Sequence, residues 1–220
     1  MGSGVLQPES SASVIKKHVE EAFSKLLRQD HSSTMKRCDV VYLPSSRHGR
    51  YIVNVLNKTF TVELDIGSVV DLTLGKEAGE KLSYVLLEYL TGEGHSASPE
   101  GWVSVETVLL QPSHKNYYQK AVVRPLEKLF GYDRELFEAV SRRLMGRREK
   151  LGGTAYSFQF LPKVQALVQV WVGNTTEFTK PKINTSFNSG ARRFLGETAL
   201  VYLFEVLADF MEKAARKMKS

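Results

Sequence analysis

The 220 residues are 42% hydrophobic and carry 30 basic against 24 acidic side chains, a net charge of +6. A chain of this length buries a proper core as one large domain or two tightly packed lobes without a metal or a disulfide. Cys38 is the single cysteine, which excludes an intramolecular disulfide, leaves a thiolate metal site or iron–sulfur cluster without its ligands, and fits a reducing compartment best.

Residues 1–10 are small and polar and read as a disordered leader, with one domain expected over 11–220. No basic segment precedes an apolar one as in a secretory signal, and no run approaches the roughly 20 apolar residues that span a bilayer. The expectation is a cytoplasmic protein with no membrane association. The Asn-x-Ser/Thr triplets at Asn57, Asn174 and Asn184 carry no weight without a secretory signal.

From Val14 to Leu27, Ile15, Val19, Ala22, Phe23, Leu26 and Leu27 recur at helical spacing, with Ser11 or Ser13 as the N-cap. Strands follow over Val40 to Leu43, Arg50 to Leu56 and Thr59 to Leu64, with a tight hairpin at Leu56-Asn57-Lys58-Thr59. A second helix spans Glu77 to Leu90 and ends at Gly92 and Gly94; the stretch to Gly101 reads as a loop, and Trp102 to Val105 as a short strand. Tyr117 to Phe130 is a third helix that Pro125 must kink or divide, because proline removes a backbone donor and clashes with the preceding turn. Asp133 to Leu144 is a fourth helix, turning Leu136, Phe137, Val140 and Leu144 inward.

The basic stretch Gly146 to Gly153 is the nearest approach to a lobe division. Beyond it, Tyr156, Phe158 and Phe160 alternate with polar residues, Ala166 to Val172 is β-branched, and Lys182 to Phe187 is a further strand. A long helix from Glu197 to Met218 closes the chain, with Leu200, Leu203, Phe204, Leu207, Phe210, Met211 and Ala214 on one broad face. Strands segregated from helices give an α+β fold: antiparallel β-hairpins or a meander packed against about five helices, the C-terminal one long.

The familiar signatures of enzymes do not occur. There is no GxxxxGK[ST] loop, GxGxxG fingerprint or GxSxG elbow. His18, His31, His48, His95 and His114 are scattered without metal-ligand spacing and read as surface or loop residues, and Cys38 beside Arg37 reads as inert packing. The basic residues fall in short groups with acids interleaved, as on solvated faces. The densest polar and aromatic cluster lies near the C-terminus, where Trp171, Glu177 and Phe178 flank a hairpin and Ser186, Asn188, Arg192, Arg193 and Phe194 precede the last helix. Paired arginines at the mouth of a helix N-terminus suit an anion.

That segment, GGTAYSFQFLPKVQALVQVWVGNTTEF followed by INTSFNSGARRFLGETAL, resembles the family called domain of unknown function 3786 (DUF3786). The similarity runs back through YYQKAVVRPLEKLFG, GWVSVETV, LSYVLLEYLTGEG and the hairpin strands, and so covers most of the chain. It implies a bacterial or archaeal protein, mostly of anaerobes, in a family with no agreed activity, some of whose members carry an appended iron–sulfur domain; the single cysteine excludes such a domain here. Leu161, Pro162, Lys163, Trp171, Gly173, Glu177 and Phe178 fall on the family's motif. Asn188 stands where the family has an aspartate, Arg193-Phe194 where it has a His-Tyr pair, and Gly196 where it commonly has a proline. Neither Asn188 nor Arg193 exchanges protons near neutral pH, so binding is favoured over catalysis.

The leading expectation is an accessory protein that binds an anionic small molecule or cofactor near the C-terminal sheet. Trp171 and Phe178 are its apolar walls, Lys163, Arg192 and Arg193 its anion partners, and Glu177 and Asn188 further ligand-binding groups. Two alternatives stay open: a basic nucleic-acid or protein-interaction module using Arg142 to Lys150 and the C-terminal tail, its nucleic-acid form not favoured, and an enzyme with Glu177 as acid or base. No cofactor identity and no oligomeric state follow from the sequence.

Overall fold

The computed structural model describes residues 11–94 and 101–219. The leader at 1–10, the N-cap side chains at Ser11 and Ser13, and His95 with the rest of the loop before Gly101 lie outside the described residues.

Helix α1 (Ser11–Leu26) buries Ile15, Ala22, Phe23 and Leu26. Helix α2 (His31–Cys38) follows, a helix that apolar periodicity does not announce because HSSTMKRC has almost no apolar face. Its signal is the cap: the Asp30 carboxylate accepts the backbone N–H groups of Ser32 and Ser33 at 3.3 and 3.0 Å.

Strands β1 (Val41–Leu43), β2 (Arg50–Val55), β3 (Lys58–Glu63), β4 (Ser68–Asp71) and β5 (Lys76–Glu77) form an antiparallel meander in that order. The β2–β3 loop is Leu56-Asn57, with Val55 paired to Lys58. Alternation places Tyr51, Val53, Val55, Phe60 and Val62 in the core. Strands β4 and β5 are additions to the sequence reading, being too short and polar to show a period.

Helix α3 (Glu80–Thr91) packs between α1 and the last helix. It stops at Gly92, where a side chain would lie 2.7 Å from the Phe194 backbone. Strand β6 (Trp102–Ser104) leads into the single turn α4 (Val105–Val108). A rod then begins at Pro112, earlier than the expected Tyr117: α5 (Pro112–Tyr118), a π turn (Gln119–Val123) and α6 (Arg124–Phe130). The π turn is the physical answer to Pro125, whose ring in a regular helix would press on the carbonyl of Ala121.

Helix α7 (Arg134–Arg143) precedes a second antiparallel sheet, ordered β6-β10-β9-β8-β7. Its strands are β7 (Arg147–Glu149), β8 (Thr154–Leu161), β9 (Val164–Trp171) and β10 (Lys182–Asn188). Strand β7 lies within the basic stretch 146–153 and pairs with β8 through Arg147↔Ser157 and Glu149↔Ala155. Helix α8 (Glu197–Lys219) closes the fold. Buried side chains of both sheets and of the helices form one cluster, and the sheets meet where the Leu56 N–H donates to the Phe160 carbonyl at 3.2 Å. The architecture is α+β, two antiparallel sheets with a long C-terminal helix.

Candidate functional site

The residues expected to share one hollow do not share it. Lys163 and Trp171 stand at opposite ends of β9, eight positions or roughly 26 Å apart at the rise of an extended strand. Alternation along a strand fixes the face on which a side chain falls but not the end of the hairpin at which it meets other elements.

At the Lys163 end the Asn188 amide and the Lys163 ammonium already have partners. Asn188, 3% exposed, accepts the Gln165 N–H at 2.7 Å and donates to the Lys163 carbonyl at 3.2 Å. An ionised aspartate has no proton for the second bond, so the amide of Asn188 suits a structural clasp. The Lys163 ammonium lies 3.7 Å from the Asp39 carboxylate. Arg192 and Arg193 sit exposed on the 3-10 turn Ser189–Arg193, and Phe194 packs against Tyr89 with ring centres 5.0 Å apart.

Three loops meet at the Trp171 end. Trp171 is half-buried, with the Lys182 ammonium 5.5 Å from its ring centre. Phe178 is 91% exposed at φ +56°, on a loop that Asn174 and Thr179 close with two backbone hydrogen bonds of 3.0 Å. Tyr132, 57% exposed, leans on Gly173 of the same loop. Glu177 is exposed and its carboxylate has no hydrogen bond or ion pair among the described residues, so nothing positions it as an acid or base.

The basic stretches are partly neutralised. Glu138 gathers Arg134, Arg142 and Arg148 at 2.9, 3.5 and 3.6 Å, and Glu212 holds Arg216 at 2.7 Å. Three histidines have side-chain partners: His31 bonds the Tyr51 hydroxyl and His114 the Glu197 carboxylate, each at 2.6 Å, while His18 stacks on Tyr84.

A cavity of about 440 Å³ lies elsewhere, between the open edge of the meander, the start of α3 and the outer side of α8. Phe60, Leu74, Leu82, Val206 and Phe210 give it apolar walls; Lys58, Lys76, Lys81 and Lys213 face Asp71, Glu77, Glu80 and Asp209 around it. Two of the lysines are fixed. Lys58 binds the buried Asp71 at 2.6 Å and lies 5.8 Å from the Phe210 ring centre. Lys81 pairs with Glu205, which also accepts the Tyr117 hydroxyl at 2.7 Å, and stands over the rings of Tyr117 and Tyr202.

Desolvation works against the Asp71 and Lys81 charges and loses. Burial alone would raise the Asp71 pKa, but the Lys58 ammonium and the N–H groups of Leu74 and Thr73 hold it below the ordinary aspartate value. Burial would lower the Lys81 pKa, but the bonds to Glu205 and Tyr117 raise it. Helix α3 starts at the cavity behind Gly79, which offers no side-chain cap, so its first backbone N–H groups have no side-chain acceptor. The lining comes from residues 58–82 and 206–213, a union that no motif records.

No curated protein and no solved structure matches the chain. Residues 30–210 match the family described as "Domain of unknown function (DUF3786)", a span that holds both sheets and almost all of the cavity lining. The chain therefore belongs to the DUF3786 family.

Proposed function

We propose that the protein binds a small amphipathic molecule bearing a carboxylate or phosphate in the cleft between α3, α8 and the meander. The observation that carries this reading is a cavity of ligand size in which fixed lysines and an uncapped helix start adjoin aromatic and aliphatic walls. Lys58 and Lys81 are held in place before any ligand arrives, so little side-chain freedom is lost on binding. Lys76 and Lys213 have no ion pair among the described residues and remain for the ligand. The anionic ligand expected from the sequence is kept; its seat moves from the C-terminal sheet to α3 and α8.

Calorimetric titration with short-chain carboxylates and alkyl phosphates tests the proposal. Binding weakened by both Lys213→Glu and Phe210→Ala supports it; no heat of binding, or affinity indifferent to both changes, removes it.

A second reading rests on Phe178. A phenylalanine exposed to solvent at positive φ contributes almost no burial to the fold, yet an aromatic ring on the loop that Tyr132 leans on, with Lys180 and Lys182 close by in the chain, suits a protein partner with an acidic rim. A photo-crosslinking residue at position 178 should give one discrete adduct that the double change Lys180→Glu, Lys182→Glu abolishes. Labelling no different from that at an unrelated surface position removes this reading.

A further inference from the structure

We infer that the ligand of this cleft is a zwitterion with an apolar tail, a molecule of the α-amino-acid type, because the free charges along its α8 wall are of both signs. The inference rests on the cleft being the binding site. Asp209 and Lys213 both line it, one helical turn apart, where residues at this spacing hold their Cβ atoms roughly 5–6 Å from each other. Neither makes an ion pair or hydrogen bond among the described residues, with each other or with anything else.

A plain anion would satisfy Lys213 and be repelled by Asp209. A zwitterion satisfies both, its ammonium on the Asp209 carboxylate and its carboxylate on Lys213 and the open start of α3, while its tail lies against Phe210 and Leu74. The fixed pairs do not compete for it, since Lys58 is taken by Asp71 and Lys81 by Glu205. Desolvation raises the Asp209 pKa, opposed by Lys213 and Lys81 and assisted by Glu205 and Glu212.

Three probes sharing one kind of tail separate the cases: norleucine, hexanoate and hexylamine, titrated calorimetrically into the full chain. Norleucine should bind about tenfold tighter than either single-charge probe, the factor that one charge-assisted hydrogen bond supplies. Asp209→Asn should erase that advantage, with hexanoate gaining affinity as the repelling charge goes and an unchanged thermal unfolding midpoint showing the variant folded. Hexanoate binding as tightly as norleucine, or an advantage that survives Asp209→Asn, overturns the zwitterion and leaves the cleft standing. Failure of all three probes to bind overturns the inference and the cleft together.

Discussion

The Tyr89 hydroxyl donates to the Cys38 carbonyl at 2.5 Å, and the Cys38 thiol donates back to the Tyr89 carbonyl at 3.4 Å. The same hydroxyl accepts the Lys163 N–H at 3.1 Å. One side chain of α3 thus ties the end of α2 to the β8–β9 turn, in a region without solvent to replace a missing partner.

Tyr89→Phe leaves the ring packing intact and strands a carbonyl and an N–H. The expected loss is about 1–3 kcal/mol in urea unfolding. A loss within error of zero would mean that water reaches both groups.

Cys38 should be inert in the folded protein. It is fully buried, and that burial pushes its thiol up to about 11 against the opposing pull of Arg37. Alkylation by iodoacetamide at mildly alkaline pH should be slow in buffer and rapid in denaturant. Equal rates would show that the α2–α3 junction opens freely.

The Lys58–Asp71 pair predicts acid sensitivity. Because the folded pKa of Asp71 lies below its ordinary value of 3.8, its contribution to stability is complete above that value and disappears as pH falls through the lower folded pKa. Thermal midpoints measured down a pH series should fall in this acid window, and Asp71→Asn should flatten the fall. A wild-type curve no steeper than that of the variant would contradict the role given to the pair.

Gly92→Ala should cost about 1–3 kcal/mol, an overpacking penalty. The backbone angle at Gly92 is ordinary, but an added methyl would meet the Phe194 backbone at 2.7 Å, and backbone cannot swing aside as a side chain does. Neutral behaviour in urea unfolding would show the 3-10 turn before α8 to be movable.

Phe178→Ala should change stability by no more than about 0.5 kcal/mol, as at any surface position without a packing role. With 91% of the residue in solvent, the fold has almost nothing to lose. A larger loss would place the ring in the packing of the loop rather than on an interaction surface.

Local sequence carried the elements whose side chains repeat with a clear period. Helices α1, α3, α7 and α8 and the strands β2, β3, β8 and β9 are legible because a buried face recurs every 3.6 or every two residues, whatever lies opposite. The same logic hides α2, α4, β4, β5 and β7, which are short or polar and take their form from caps and neighbours. Among the expected site residues, Trp171 ends β9 and leads into the loop that carries Glu177 and Phe178, while Lys163 precedes β9 and Asn188, Arg192 and Arg193 follow at the far end of β10.

The sequence by itself determined an α+β chain with a single thiol, a long final helix and the family's pattern along its second sheet. The tertiary structure alone decided the cleft, because its charges meet across elements far apart in the chain: Lys81 and Glu205 are separated by 124 positions. Periodicity reports that a face is buried. Which other face buries it, and which charges are left unpaired at the seam, depends on how the elements pack, and no local pattern encodes that.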